Sequence, residues 1–286
     1  MKRTLKSVQS DSKSQKSTHG VAHPPLVNIE LDHVIPDVLH LTLGVTDVLE
    51  KNLFLQAMHS DARNKIQKIK NDVSCVDKVK YLIRNCGVAF NTWSGKEDGK
   101  IEGLNWTSLS GAEKRKVLTH FPSKLSASDI FDQESRRTIS SLWSGFDSIL
   151  SLIREPPCHN GHNVIFEEAQ KWARDFLSFK QVGYQRITPY MHWMVYHIPL
   201  FVKVHGSLSK YSCQGIEKAN DIIKKIHQQK SQKWDPCHEA MVVKKRIEIG
   251  KENQIGRVKR KYVKRKCDYW NNEIFSQREA KRAKFL

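Results

Sequence analysis

Residues Ile139, Leu142, Trp143, Phe146, Ile149, Leu150 and Ile153 recur at i, i+3, i+4, i+7 spacing, a pattern that only a helix gathers on one side. Two further stretches repeat it: Val45, Val48, Leu49 and Leu53, then Ala169, Trp172, Ala173 and Phe176. The aromatic groups Trp143/Phe146 and Trp172/Phe176 fall on these apolar stripes, which makes them core residues before base-stacking platforms. Alternation of period two is confined to "LVNIELDHV" after Pro24-Pro25, the best strand candidate in the chain. It leads through Pro36-Asp37 into the helical stretch "VLHLTLGVTDVLEKNLFLQAM". The expected fold class is mostly α.

Breaks in these patterns set the boundaries. "NTWSGKEDGKIEGLNW" is rich in Gly and charge and reads as a loop or small hairpin. "REPPCHNGHN" is a second break, with Asn163 as the expected cap of the helix that follows. Its Cys158, His159 and His162 supply at most three ligands, so a surface turn is the better reading than a metal site. Asp235-Pro236 has the form of an N-cap with Pro at the first helical position, and Gly250 that of its stop. Residues 1–20, of Lys, Ser, Gln and Thr in low-complexity order, are expected to be unstructured.

Composition narrows the function classes. No run approaches the roughly 20 apolar residues of a membrane span, so a membrane partner is not expected, and "MKRTLKSVQS" leads into no signal-peptide core. Six cysteines without a repeated spacing point to a reduced, intracellular chain. The net charge is +18, and residues 224–286 hold 19 Lys or Arg against 7 Asp or Glu, a net +12. Within them "RVKRKYVKRK" places Arg257, Lys259, Arg260, Lys261, Lys264, Arg265 and Lys266 in ten residues. Such a cluster suits a phosphate backbone or nuclear import, and the two are compatible. A solvated tail is the bland alternative.

One apolar stretch, "MHWMVYHIPLF", carries His192 and His197. On an ideal α-helix i and i+5 point well apart, so spacing alone favours two core histidines with hydrogen-bond partners over a metal pair. Gly206 breaks the helix, and Ser212 precedes a second one whose Ile216, Ala219, Ile223 and Ile226 are expected to face inward. Glu217 falls in its first turn, with Lys218, Lys224 and Lys225 nearby. A carboxylate there is favoured by the helix dipole; the functional alternative is a metal ligand facing a phosphate-bearing substrate.

The segment from "ITPYMHWMVYHIP" to "CQGIEKAN" resembles the end of the catalytic domain of Transib-type transposases and of the related catalytic subunit of the V(D)J recombinase. That resemblance implies an RNase H-like core with a helical insertion. It implies that Glu217 matches the last catalytic carboxylate, a ligand of Mg2+ or Mn2+, and that His192 and His197 match two ligands of a structural zinc. "IPDVLHLTLGVTDVLEKNLF" is more weakly similar to the segment before the insertion, where His40 matches a His close to the active site. In the family, two catalytic Asp and a Cys-x-x-Cys zinc pair lie upstream of the matched region. This chain contains no Cys-x-x-Cys, and one Glu does not make a two-metal site. Asp32 and Asp37 are the carboxylates a remnant nuclease would recruit, against the capping and turn duties that otherwise account for them.

The expectation is therefore the C-terminal portion of an RNase H-like α/β transposase core, truncated or decayed. Its parts are a tail (1–24), a strand–helix core segment (25–58), the helical insertion (59–186), core helices bearing the Glu motif (187–250) and a basic tail (251–286). The expected function is nuclear, non-specific DNA binding without catalysis by this chain alone, and self-association is admitted. No metal is expected in the chain as it stands. The rivals are a helical protein-interaction module and a metal-dependent nuclease.

Overall fold

The structure, a computed structural model, describes residues 4–14, 21, 23–66, 73–95, 103–179, 186–230, 234–252 and 276. The chain divides into two compact units, Met1–Glu217 and Lys218–Leu286. No helix among the described residues is long and apolar enough to cross a membrane.

The first unit is built on α2 (Val38–Ile66), whose Leu41, Val45, Leu49 and Leu53 are fully buried along one side. Against it lie α3 (Cys75–Arg84), α4 (Gly111–Ser126) and α5 (Gln133–Arg154). The seven apolar residues that define the α5 stripe are all buried. At roughly 1.5–3 kcal/mol for each large apolar side chain removed from water, that stripe is a main source of stability. It packs on α4 on one side and on α6 (Gly161–Ser178) on the other, where the Trp172 indole N–H donates to the Leu142 carbonyl at 2.7 Å. The helix starts are written in the sequence. Ser110 and Glu113 form a capping box for α4, and Asp132 and Ser74 cap α5 and α3.

The Gly- and charge-rich stretch takes the hairpin form. Strands β1 (Thr92–Gly95) and β2 (Gly103–Trp106) pair antiparallel, Thr92 opposite Trp106 and Gly95 opposite Gly103. Trp106 stacks on Phe54 of α2 with ring centroids 4.9 Å apart. Among the described residues this is the only sheet.

Several expectations are corrected. "LVNIELDHV" forms no strand: it bends at Leu26 and Val27, runs on without regular structure, then makes a 3-10 turn at Leu31–His33. Alternation suits a strand only where a neighbouring edge accepts its hydrogen bonds. Within 1–20, Leu5–Ser12 form helix α1, started by a Thr4–Ser7 capping box. Helix α6 begins before Asn163; its cap is Asn160 in the left-handed region (φ 53°). In the second unit, α10 (Pro236–Glu252) starts as expected, with the His238 N–H on Asp235 Oδ1 at 2.9 Å, but it runs on past Gly250. Helix α9 (Gln214–Lys230), which starts in the first unit and continues into the second, does not bury its apolar spacing. Ile216 is 62% exposed, Ile223 40%, and Ala219 is also exposed. The side chain of Ile226 lies outside the described residues.

Candidate functional site

The segment carrying the two histidines starts cleanly. The Thr188 hydroxyl caps α7 (Pro189–His192), with Pro189 at its first position. Pro199 then creates a problem for continuing as α-helix. It has no N–H to give the Val195 carbonyl, and its ring would press on that oxygen. The chain answers with a π turn over Trp193–His197, in which the Ile198 N–H donates to the Trp193 carbonyl, five residues back. Helix α8 (Ile198–His205) follows and ends at Gly206, whose φ of 70° suits glycine. The wider turn brings i and i+5 to one side. The His192 and His197 rings therefore stand 5.1 Å apart, which corrects the expectation that helical geometry separates them.

Asp37 caps α2. Its Oδ1 accepts the Leu39 N–H at 3.1 Å, its Oδ2 accepts the His40 N–H at 3.3 Å, and His40 Nδ1 pairs with the same oxygen. A further donor comes from far along the chain: the Cys213 N–H reaches Oδ1 at 3.1 Å, just ahead of α9. Burial pushes the Asp37 carboxyl up, but the bonds from Cys213, His40 and Leu39 outweigh it and hold the group below its ordinary 3.8.

Glu217 lies in the first turn of α9, exposed, with its N–H on the Cys213 carbonyl at 2.9 Å. The Cys213 thiol is pushed up by Asp37 above all, then by burial and by Glu217, so both carboxylates act on one sulfur. Of the two aspartates weighed as partners of Glu217, Asp37 is thus carried to the start of α9. Asp32 sits in the 3-10 turn, where its carbonyl faces His205 Nε2 at 3.5 Å.

The Asp37–His40 pair and His197 line one cavity of about 440 Å3, walled by Tyr190, Trp193 and Phe201. Two of the residues singled out from the sequence, His40 and His197, are thereby brought together. Burial, and the neighbouring His192, hold His197 below its ordinary 6.5. Lys218, Lys224 and Lys225 lie exposed on α9, and Asp221 pairs with Lys225 at 2.9 Å and approaches Lys218 at 4.0 Å. Arg257, Lys259, Arg260, Lys261, Lys264, Arg265 and Lys266 lie outside the described residues.

The donor set does not fit the metals that the resemblance implies. A tetrahedral structural zinc takes four ligands, whereas His192 and His197 are two. Among the described residues no three His, Cys, Asp or Glu form a group that could hold a metal ion. Cys158, His159 and His162 belong to an exposed turn and the first turn of α6. What the site offers is a carboxylate-oriented imidazole, His40, at the rim of an aromatic cavity.

The sequence reading missed the Cys213–Asp37 bond, because 176 residues separate the partners. No pattern of local spacing encodes such a bond. No model of a known protein family matches this chain, and no curated protein is significantly similar to it.

Proposed function

We propose that the chain is a transposon-derived, nucleic-acid-binding protein of the nucleus that grips phosphates non-specifically and does not itself cut or join strands. The observation that carries this reading is the concentration of exposed cations on the last described helices. Lys218, Lys224 and Lys225 on α9 and Lys244, Lys245 and Arg246 on α10 are all exposed, within a region where residues 224–286 carry a net +12. Such cations displace condensed counterions from a phosphate backbone and carry no base-reading geometry. The resemblance of 187–225 to the end of an RNase H-like transposase supplies the origin. On that reading Glu217 is the matched carboxylate, and the strand-transfer site has to be completed by groups that the described residues do not gather.

The test is the salt dependence of DNA binding by the full chain and by a deletion of residues 257–266. A steep slope in the full chain, flattened by the deletion together with weaker binding to every sequence, supports the reading. No binding at low salt would refute it.

A helical interaction module is the second reading, favoured by one observation. Ile216 and Ile223 on α9 and Met241 on α10 are exposed apolar residues on helices. A chain of this kind would self-associate with a mass dependent on concentration and ignore DNA.

A further inference from the structure

Beside the Asp37 cap lies a second, smaller cavity of about 100 Å3, walled by residues of α2, α4 and α5 and by the turn leading into α9. That is room for several waters or a small oxyanion. Its lining includes Thr42, Gly111, Arg115, Arg154, Ser212 and Gln214. Two arginines therefore line one small space, and no Asp or Glu lines it; the Arg154 carbonyl at its edge is taken up by the Ser207 and Ser209 hydroxyls. Of the acids nearest in sequence, Asp37, Glu113, Glu155 and Glu217, none lines the cavity. Asp37 is taken up by His40, Leu39 and Cys213, and Glu113 by the Ser110 N–H and hydroxyl. No described residue is a hydrogen-bond or ion-pair partner of either guanidinium.

Holding two like charges together without a counter-charge is unfavourable, and a bound anion reverses the sign of that interaction. The remaining lining suits one. Gly111 is the first residue of α4, where backbone N–H groups have no intrahelical acceptor. The start of α4 comes so close to α2 that a Cβ at 111 would lie 2.5 Å from Leu39 Cδ1. Ser212 adds a hydroxyl and Gln214 an amide. Guanidinium forks match the geometry of phosphate oxygens better than ammonium groups do.

We propose that this cavity binds a single phosphate-type oxyanion between Arg115 and Arg154, and that a phosphate of the nucleic-acid backbone supplies it. The assignment of the source rests on the binding function proposed above; the anion site itself does not. It lies inside the first unit.

The test titrates inorganic phosphate into the full chain at constant ionic strength and follows the melting temperature. A saturable rise is expected, lost in Arg115→Gln/Arg154→Gln. If that double variant does not fold, Arg115→Lys/Arg154→Lys keeps the charge without the fork and is expected to weaken the rise. On DNA, losing one phosphate contact lowers the slope of log K against log salt by about 0.9, and the Gln variant is expected to show that drop. An absent or non-saturable rise in the native chain, or one unchanged in both variants, overturns the site. A phosphate response lost in the variant with an unchanged DNA slope overturns the backbone source and leaves a free phosphate compound as ligand. Deleting 257–266 tests the tail separately, so the two failures are distinguishable.

Discussion

Asp37 Oδ1 accepts the backbone N–H of Cys213 at 3.1 Å while also capping α2, so one carboxylate fastens the starts of two helices that lie 176 residues apart. Replacing Asp37 by Ala removes the cap and leaves the Cys213 N–H without its acceptor. The expected loss is about 1–3 kcal/mol, read by urea denaturation, with faster amide exchange at Cys213. Because the Asp37 pKa is depressed, its contribution is present above pH 3.8 and is lost as the pH falls through the lower folded value. Asp37→Ala should flatten that acid limb.

Glu50 carries the opposite linkage. It is buried on α2, and burial drives its carboxyl up to about 7 from 4.5, against the pull of the Lys114 ammonium and with a further push from Asp47. A carboxyl raised in the folded state leaves stability intact below pH 4.5 and loses it as the pH climbs towards 7. Glu50→Gln should therefore unfold at higher denaturant than the native chain at pH 8, by up to about 3 kcal/mol, and match it near pH 4.5. Equal midpoints at both pH values would contradict this.

Gly44 lets α7 settle on α2. A Cβ there would lie 2.2 Å from Tyr190 Cδ2, so Gly44→Ala must displace the ring that walls the aromatic cavity. A cost of about 1–3 kcal/mol is expected, as for other overpacked contacts. Tyr190→Ala in the same background should recover part of it.

Two imidazoles do not complete a tetrahedral zinc site. The purified chain is expected to hold no stoichiometric zinc by elemental analysis; zinc that disappears in His197→Ala would reverse this. His197, held below 6.5, adds a second pH signature: stability is lost as the pH falls below that value, and His197→Gln should reduce the loss.

On supercoiled plasmid with magnesium or manganese, the chain is expected to leave the DNA unnicked, because opposed ions need several fixed carboxylates. Nicking that vanishes in Glu217→Gln would point to Asp37 as the partner, since it is the aspartate carried to the start of α9.

What the sequence disclosed was whatever repeats locally. The α5 stripe, the Trp172 and Phe176 positions and the Asp235-Pro236 start all follow from spacing within a turn or two, and all are found as expected. Some readings failed locally, as at the Asn160 cap and the π turn that pairs His192 with His197, and others where the outcome depended on a distant surface. "LVNIELDHV" has the alternation of a strand and pairs with no strand among the described residues, and Ile216 and Ile223 have helical spacing and remain exposed. The candidate site shows the same division. His40 and Glu217 were visible as residues, whereas the bond that fastens Asp37 to Cys213 and the shared cavity of Arg115 and Arg154 arise only from packing.

The π turn at Trp193–His197 also works as a phase shift. Each residue advances an α-helix by about 100°, so one surplus residue rotates everything beyond it relative to everything before. Met191 before the π turn, Met194 within it, and Ile198 and Val202 beyond it are all buried in the same core. Deleting Tyr196 would remove the surplus residue and swing α8 around its own axis, carrying Ile198 and Val202 out of the core. A single deletion there should cost far more than any one substitution in the segment. The chain thus tolerates an irregular turn because regularity would put its apolar side chains on the wrong bearing.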